Sequence, residues 1–506
     1  MIHSAAHGNR TKRYLALALS LIIGVGVIAL ILRLWFIFEV SQIEVLWDAN
    51  DYWSEMQLVR NRICSTLGYC TPDPSIAANT PFSSLMRGVL FERLGIMPFL
   101  GGIALTILPV EPLSINILYA VLGSLICLMI ISVLLRLGFP LWIALLGGIF
   151  HALYVPAITG EGAVLQQPFI RLCLALVVWA YTLAFTSHKR LFIWFWVGLA
   201  TTASILVGYA SITTRPLMWL IPLSVLLLTW RSAPRVFRVQ LVYLGLLVGT
   251  MIAATILLTV RGQETLDSAA RLSTGLGAQG DSISSATTIA TFPHIWAPSE
   301  WWRDFPGGSL GSDFARDPAL FLNRFVYSVF ANWRYPDYFY LQHFILTLEG
   351  QKIQHLLLVI SGLLGIAGLL GQPGLRRRTA LLILVIALYV SVSSSVISME
   401  PRRISVLSPI LTIGAAVFIG SVVAGIRSYR RTLEIDALLL ALGGTAWWLP
   451  LPLLLEFVRI EPAVAYALLV TLRAVLTVMV IWRLLRLWER NEPQFGKRWA
   501  AGRICC

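Results

Sequence analysis

The composition of this chain of 506 residues excludes a set of ordinary soluble domains. Hydrophobic residues make up 57% and charged residues 13%, against roughly 45 to 50% and 25% in soluble proteins. Lysine and arginine exceed the acidic residues by fourteen, but the excess lies in short loops beside apolar runs, a pattern that sets membrane orientation and does not indicate nucleic-acid binding. The chain is therefore predicted to be an all-α polytopic membrane protein.

Apolar runs recur along the chain, and a helix needs about 20 apolar residues to cross the hydrocarbon core of a bilayer. They predict about 12 transmembrane helices, over residues 14–38, 111–137, 139–159, 163–186, 191–213, 216–230, 239–260, 354–372, 379–397, 404–426, 434–455 and 463–482. Because basic clusters remain on the cytoplasmic side, we expect an N-in/C-in topology. Residues 1–13 would be a cytoplasmic N-terminus, 431–482 a C-terminal transmembrane hairpin and 483–506 a basic cytoplasmic tail.

Two long loops, about 39–110 and 261–353, fall on the outer side in this topology. Both mix acidic, proline and aromatic residues, as folded segments do and linkers do not. In the first loop, residues 94–108 are apolar but short for a span, which indicates an interfacial or re-entrant segment. In the second, residues 318–340 have apolar side chains at near-helical spacing and predict a helix on the membrane surface.

The placement of polar residues separates two classes of membrane protein. A twelve-span secondary transporter should concentrate polar residues at the bilayer midplane, in broken helices. Charged residues inside the predicted spans are few, with Arg171 the clearest, and an arginine there more often pairs helices or snorkels than transports. Since polar residues concentrate in the outer loops, the sequence favours chemistry at the outer face.

The first outer loop opens with an acidic segment, Leu46-Trp47-Asp48-Ala49-Asn50-Asp51-Tyr52-Trp53. An aspartate followed four residues later by a tyrosine, as in Asp48 and Tyr52, resembles the segment that opens the first outer loop of the GT-C class of polyprenyl-phosphate-sugar-dependent membrane glycosyltransferases, the protein mannosyltransferase and aminoarabinose transferase superfamily. Further similar segments follow in the family's order. They are Pro81-Phe82-Ser83-Ser84-Leu85, Thr214-Arg215-Pro216-Leu217, residues 318–339 and Glu400-Pro401-Arg402-Arg403.

The resemblance covers residues 14–430 and implies an inverting glycosyltransferase. Its donor would be a sugar on a polyprenyl phosphate, its acceptor a lipid, glycan or protein, and its place the outer, periplasmic side of the plasma (inner) membrane in the cell envelope. The resemblance implies catalytic roles for Asp48 and Asp51, and substrate contacts for Tyr52 and Glu161. No cofactor or metal site is expected from the sequence, with a divalent cation left open.

A carboxylate is the base that such a reaction needs for the acceptor hydroxyl, and Asp48 is the first choice, with Glu161 as the substitute. Arginine suits the donor phosphate because its planar fork donates paired hydrogen bonds, which favours Arg402, Arg403 and Arg215.

Each assignment has an alternative of a structural kind. The aspartates would then cap an outer helix, Arg402 and Arg403 would lie among lipid headgroups, and Arg215 would cap a helix end. The alternative functions are a twelve-span secondary transporter and a polysaccharide polymerase or ligase of another membrane class. Cys64 and Cys70 share the first outer loop, where a disulfide is one of two open possibilities.

Overall fold

The computed structural model describes residues 2–40, 48–68, 70–74, 95–211, 214–260, 329, 332–333, 344–397 and 402–428. Within these ranges the chain is helical, apart from turns and an isolated bridge between Phe344 and Leu346. The helices are α1 (Ile2–Trp35, continued by a π-helical turn, Phe36–Val40), α2 (Asp48–Leu67), α3 (Met97–Ala104), α4 (Pro112–Arg136), α5 (Leu141–Ala152), α6 (Val155–Glu161), α7 (Gln167–Thr186), α8 (Arg190–Ala210), α9 (Leu217–Thr229), α10 (Pro234–Val260), α11 (Leu348–Leu370), α12 (Leu375–Ile397), α13 (Arg402–Ser405) and α14 (Ser408–Ser428).

Several of these helices have the length and apolar composition of membrane-spanning helices. Within the described ranges, six are long and apolar enough to cross a bilayer, and a seventh crossing results if α5 and α6 are counted as one bent span. Large apolar side chains such as Leu17, Leu246 and Leu357 are exposed on their surfaces, which suits helices surrounded by lipid.

The helices follow the first ten predicted spans closely, with one correction and some gaps. The third span, expected to be continuous over 139–159, is instead α5 and α6, bent by 48° at a break after Ala152. The segment expected at 94–108 contains α3, eight residues or about 12 Å long, too short to cross a bilayer. The last two predicted spans, the basic tail, the Pro81 segment and nearly all of the predicted surface helix lie outside the described residues.

The turns at one end of the bundle, which we call the basic end, contain arginines. Their side chains donate hydrogen bonds to backbone carbonyls of neighbouring turns. Arg376 Nε donates to the Leu137 carbonyl (2.7 Å), and Arg378 Nη2 donates to the Ser232 carbonyl (3.1 Å). Arg235 adds a bond to the His188 carbonyl at 3.4 Å. The basic clusters that are dispersed in the sequence are therefore neighbours at one end.

The opposite end, which we call the loop end, receives α2 and α3. The amide of Ile96, just before α3, donates to the carbonyl of Tyr209 at the end of α8 (2.7 Å). A Cβ on Gly95 would lie 2.6 Å from the carbonyl oxygen of Ala210, so only glycine fits, and its φ of +66° also favours glycine. This contact fixes the start of α3 to the end of α8.

The core of the bundle is built around α4, which packs against α1, α5 and α7. The closest helix pair is α11 with α14, where Gly362, Gly365 and Gly414 let the two backbones touch. Small residues at such contacts are typical of helix packing in membranes, because association there depends on close van der Waals approach. Since α14 also packs on α5, the later helices are joined to the earlier ones.

A disulfide between Cys64 and Cys70 closes the end of α2, with their Cα atoms 4.9 Å apart. Asn61 strengthens the closure, since its side chain donates to the Asp73 carbonyl and accepts from the Asp73 amide, both at 3.0 Å. Arg60 Nε donates to the Leu105 carbonyl (3.1 Å) and so ties α2 to the end of α3. The possibility left open by the sequence is thus resolved in favour of a bridge.

Candidate functional site

Three charged side chains meet inside the bundle and form what we call the buried charge cluster: Arg33 of α1, Glu161 of α6 and Arg171 of α7. Arg33 Nε donates to Glu161 Oε2 at 2.7 Å, and Arg171 Nη1 lies 3.6 Å from Glu161 Oε1. All three are at most 2% exposed. Each arginine also donates to a backbone carbonyl, Arg33 to Ala29 (3.1 Å) and Arg171 to Ala157 (3.0 Å). The single carboxylate therefore links three helices.

A glycine on α4 makes room for this cluster. A Cβ at Gly123 would lie 2.5 Å from Arg33 Nε and 2.6 Å from both carboxylate oxygens of Glu161. Gly123 is eleven residues into α4, or roughly 16 Å from the loop end at about 1.5 Å per residue. The cluster thus lies inside the bundle, about three turns of α4 from the loop end.

Several buried polar atoms of the cluster and of α5 and α7 have no hydrogen-bond partner among the described residues. His151 of α5 is fully buried within electrostatic range of both arginines, and neither of its ring nitrogens has a hydrogen-bond partner among the described residues. The same holds for Arg33 Nη2 and the side-chain oxygen of Gln167. Buried polar groups are nearly always satisfied in proteins, which makes this region the candidate functional site.

The break between α5 and α6, close to the cluster, is bonded by side chains of α11. Gln354 Nε2 donates to the Leu153 carbonyl (2.8 Å), and Gln354 Oε1 accepts from the Val155 amide (3.0 Å). A 2.5 Å hydrogen bond joins the Tyr154 hydroxyl to His355 Nδ1. Irregular backbone at membrane depth is tolerated only where protein satisfies it, and α11 does so here.

Helix α2 inserts one side into the loop end of the bundle. Tyr52 is buried, in the same apolar core as Tyr119 of α4, and Tyr119 lies within electrostatic range of both Tyr52 and Arg171. One turn further on, Met56 fills the space beside Gly101 of α3, where a Cβ would come within 2.5 Å of its sulfur. The start of α2 is thus fixed next to the helices that carry the cluster.

The predicted catalytic aspartates occupy the beginning of α2. Asp48 is its first residue, one helical turn before the buried Tyr52. Asp51 is exposed; it directly precedes the buried Tyr52, and successive residues point about 100° apart around a helix. The two aspartates are therefore not equivalent in position.

The predicted phosphate-binding Arg215 lies at the turn between α8 and α9. Its guanidinium is half-buried, and burial lowers its pKa from the ordinary value while nearby Tyr209 opposes the change. Arg215 Nε has no hydrogen-bond partner among the described residues, so the expectation of a C-terminal helix cap gains no support from this atom. The Thr214 hydroxyl donates to the Val207 carbonyl at 2.5 Å and fixes the turn.

Arg402 and Arg403 begin α13, a single helical turn between α12 and α14. The residues that follow, Ile404 and Leu407, are buried in the core, and α13 packs on α12 and α7. The backbone of this segment is therefore fixed at the loop end. All the predicted site residues, dispersed from Asp48 to Arg403, belong to segments that end or begin there.

Glu161 was among the site residues predicted from the sequence, whereas Arg33 and His151 were not. Arg33 lies within the first predicted span, where a charged residue is itself a signal of function or pairing. Arg171 was expected to pair helices or to snorkel, and it pairs α7 with α6 through Glu161. Among the described residues, no group of three or more His, Cys, Asp or Glu side chains is placed to hold a metal ion.

No protein-family model matches this chain, and no curated protein matches its sequence significantly.

Proposed function

We propose that this protein is an inverting glycosyltransferase that moves a sugar from a polyprenyl-phosphate carrier to a lipid, glycan or protein acceptor. The reaction would take place at the outer face of a plasma membrane of bacterial type, and the loop end would be that face. The observation that supports this best is convergence: the segments that carry Asp48, Glu161, Arg215 and Arg402 all reach the loop end, although up to about 350 positions separate them.

The chemistry needs a base and cations in one place. Asp48 would accept the proton of the acceptor hydroxyl while that oxygen attacks the anomeric carbon of the donor. The bond between this carbon and the phosphate oxygen would break on the opposite face, so the anomeric configuration would invert. The phosphodiester of the donor already carries one negative charge and gains a second as the lipid phosphate leaves, and Arg402, Arg403 and Arg215 would stabilise it.

The fixed position of α2 supports Asp48 over Asp51 as the base. Tyr52 and Met56 fix α2 against the bundle, and Asp48 precedes Tyr52 by four residues, the spacing of neighbours on one side of a helix. Asp51 is exposed. A general base must be oriented to within hydrogen-bond reach of its proton, which a fixed helix start provides.

Asp48→Asn tests the base. The purified protein is incubated with a panel of polyprenyl-phosphate sugars, and release of the lipid phosphate is measured. Asparagine keeps the size of aspartate but removes the basic oxygen, so the transfer rate should fall roughly 10² to 10⁴-fold. Asp51→Asn is the matched control and should have a much smaller effect. An Asp48→Asn rate equal to wild type would remove Asp48 from the mechanism.

The proposed binding of the donor phosphate by α13 is tested by replacing Arg402 and Arg403 together. The double alanine variant should have a lower apparent affinity for the donor and should insert into the membrane as the wild type does. The double lysine variant should recover only part of the affinity, because an ammonium cannot donate paired planar hydrogen bonds. Apparent donor affinity is measured from the rate at increasing donor concentration. Unchanged affinity in the alanine variant would assign both arginines to lipid headgroups.

A second candidate function, secondary transport, is favoured by one observation. A span broken at membrane depth beside buried charges, as α5 and α6 are beside Glu161 and Arg171, is the usual setting of a transport site. Proteoliposomes loaded with sugars and sugar phosphates separate the two functions. Flux that Glu161→Gln abolishes and Asp48→Asn leaves intact would establish transport, whereas release of lipid phosphate without flux would establish transfer.

A further inference from the structure

We propose that the basic end contains a binding site for an anionic phospholipid, formed by cations on three neighbouring turns. These cations, which we call the cationic patch, are Lys189 and Arg190 at the α7–α8 turn, Arg231 and Arg235 at the α9–α10 turn, and Arg378 just after the α11–α12 turn. The patch lies at the opposite end of the bundle from the proposed catalytic residues, so the inference does not depend on the proposed transfer reaction.

The three turns are joined by hydrogen bonds from two arginines of the patch. Arg235 Nη1 donates to the His188 carbonyl at 3.4 Å, which brings the α9–α10 turn next to Lys189. Arg378 Nη2 donates to the Ser232 carbonyl at 3.1 Å, which brings the start of α12 next to the same turn. A guanidinium has five N–H donors, so each arginine retains donors beyond the one used in these bonds.

The patch has no carboxylate partner among the described residues. Four of its five side chains are exposed and that of Arg378 is partly exposed, and none of the five forms an ion pair within the described ranges. The first turns of α8, α10 and α12 contain no acidic residue. Like charges on neighbouring turns add up to a positive potential that concentrates anions at a surface. An anion is therefore the ligand that this surface attracts.

Apolar side chains next to the cations favour a lipid over a soluble anion. Leu191 directly follows the patch residues of the α7–α8 turn and is 78% exposed, and Trp230 directly precedes Arg231 and is 65% exposed. Lys189 Nζ lies 5.9 Å from the ring centroid of Phe192, which is also exposed. A phospholipid has a charged phosphate beside acyl chains, so one molecule would cover both the cations and the apolar side chains.

The retention of basic turns on the cytoplasmic side explains the presence of these cations but not their arrangement. Orientation depends on the number of Lys and Arg residues that flank the spans, and it requires no contact between separate turns. Here two arginines bond to neighbouring turns and draw the cations together. Arginine also donates paired hydrogen bonds to phosphate oxygens, and each basic residue near an anionic membrane surface strengthens binding roughly fivefold.

The experiment uses the full-length protein in a mild uncharged detergent and measures its thermal unfolding at increasing concentrations of three ligands. They are phosphatidylglycerol, phosphatidylcholine with the same acyl chains, and glycerol phosphate, which has the anionic group without the chains. A ligand that binds only the folded protein raises its unfolding temperature as the ligand concentration increases. The concentration dependence gives the apparent affinity.

Phosphatidylglycerol should raise the unfolding temperature in a saturable way. Phosphatidylcholine should have a much weaker effect because its choline cancels the phosphate charge, and glycerol phosphate because it lacks the chains. Equal stabilisation by the two lipids would leave the cations with a role in orientation alone. Equal stabilisation by phosphatidylglycerol and glycerol phosphate would make the surface a site for soluble anions. Either result would overturn the proposal.

Arg190→Gln and Arg231→Gln should each weaken the binding of phosphatidylglycerol roughly fivefold, and the double variant roughly twenty-five-fold. The unfolding temperature without lipid should not change, because neither side chain bonds to a described residue. Arg136→Gln is the matched control. This exposed arginine lies at the same end, but at the α4–α5 turn, which is bonded by Arg376. Arg376 and Arg378 are two positions apart and so reach opposite sides of α12.

The control variant should bind phosphatidylglycerol as the wild type does. Arg231→Lys keeps the charge and should weaken binding less than Arg231→Gln, which a role in packing alone does not require. Equal weakening by Arg136→Gln and Arg231→Gln would indicate a diffuse effect of net charge and not a site. Undiminished affinity in the double glutamine variant would remove the cationic patch from lipid binding.

Discussion

Replacement of Gly123 by alanine tests the packing that holds the buried charge cluster. The added Cβ would lie 2.5 Å from Arg33 Nε and 2.6 Å from the oxygens of Glu161. Ordinary contact distances are about 3.5 Å, so the two side chains must each move by about 1 Å. Because their bond is 2.7 Å long, such a movement takes it beyond hydrogen-bonding distance.

The expected cost follows from the burial of the pair. Removing one partner of a buried ion pair destabilises a protein by about 3–5 kcal/mol, and displacement leaves some attraction, so Gly123→Ala should cost about 2–4 kcal/mol. Alanine is favoured over glycine in a helix by about 1 kcal/mol, which offsets part of this. Gly245→Ala is the matched control, since nothing lies within 4 Å of its added Cβ, and it should be neutral or slightly stabilising.

The free energy of unfolding is measured by titrating the protein in a mild detergent with a denaturing one and following tryptophan fluorescence. The same alanine is then introduced into a protein carrying Arg33→Met and Glu161→Gln, where flexible uncharged side chains can move aside. If the destabilisation by Gly123→Ala arises from the ion pair, it should fall below about 1 kcal/mol in that background, because the effects of substitutions at contacting residues are not additive. Equal stability of Gly123→Ala and Gly245→Ala in the wild-type background would refute the reasoning.

Two further predictions concern the two ends of the bundle. In a background without native cysteines, Ser65→Cys at the loop end should react with a membrane-impermeant thiol reagent added to intact cells. Ser232→Cys at the basic end should react only after the cells are opened, because basic turns are retained inside. The opposite labelling pattern would show that the topology is reversed. In the wild type, Cys64 and Cys70 should resist thiol labelling until a reductant is added. Replacing both by serine should destabilise the end of α2 by about 2 kcal/mol, because a short closed loop is lost. Full labelling without reductant would place this end in a reducing compartment.

Hydropathy is enough to place most of the helices. The first ten predicted spans correspond to helices because an apolar run of fixed length is a local property, and short basic turns mark its ends. The break after Ala152 was not foreseen, since the run from 139 to 159 stays apolar through it and the bonds that stabilise it come from Gln354, about 200 residues away. Local patterns carry no information about such a partner.

The candidate site was foreseen only in part, for the same reason. Asp48 and Arg215 were found through short motifs, and the structure brings their segments to one end. Arg33 was missed because one arginine hardly changes the average hydropathy of a long apolar run. Its partner Glu161 is 128 positions away, and the need for glycine at position 123 arises only when both side chains meet. The pairing depends on tertiary packing that a single sequence does not reveal.

The bonds from α11 to the broken span have a consequence for how the protein is made. Gln354 is synthesised about 200 residues after Leu153 and Val155, and at roughly 5–20 residues per second this takes roughly 10–40 s. During that time the carbonyl and amide at the break have no partner from α11, within an environment where an unsatisfied backbone group costs several kcal/mol. The early helices therefore complete their structure only when a late one emerges from the ribosome and docks, so biogenesis of the amino-terminal half depends on translation of the carboxy-terminal half.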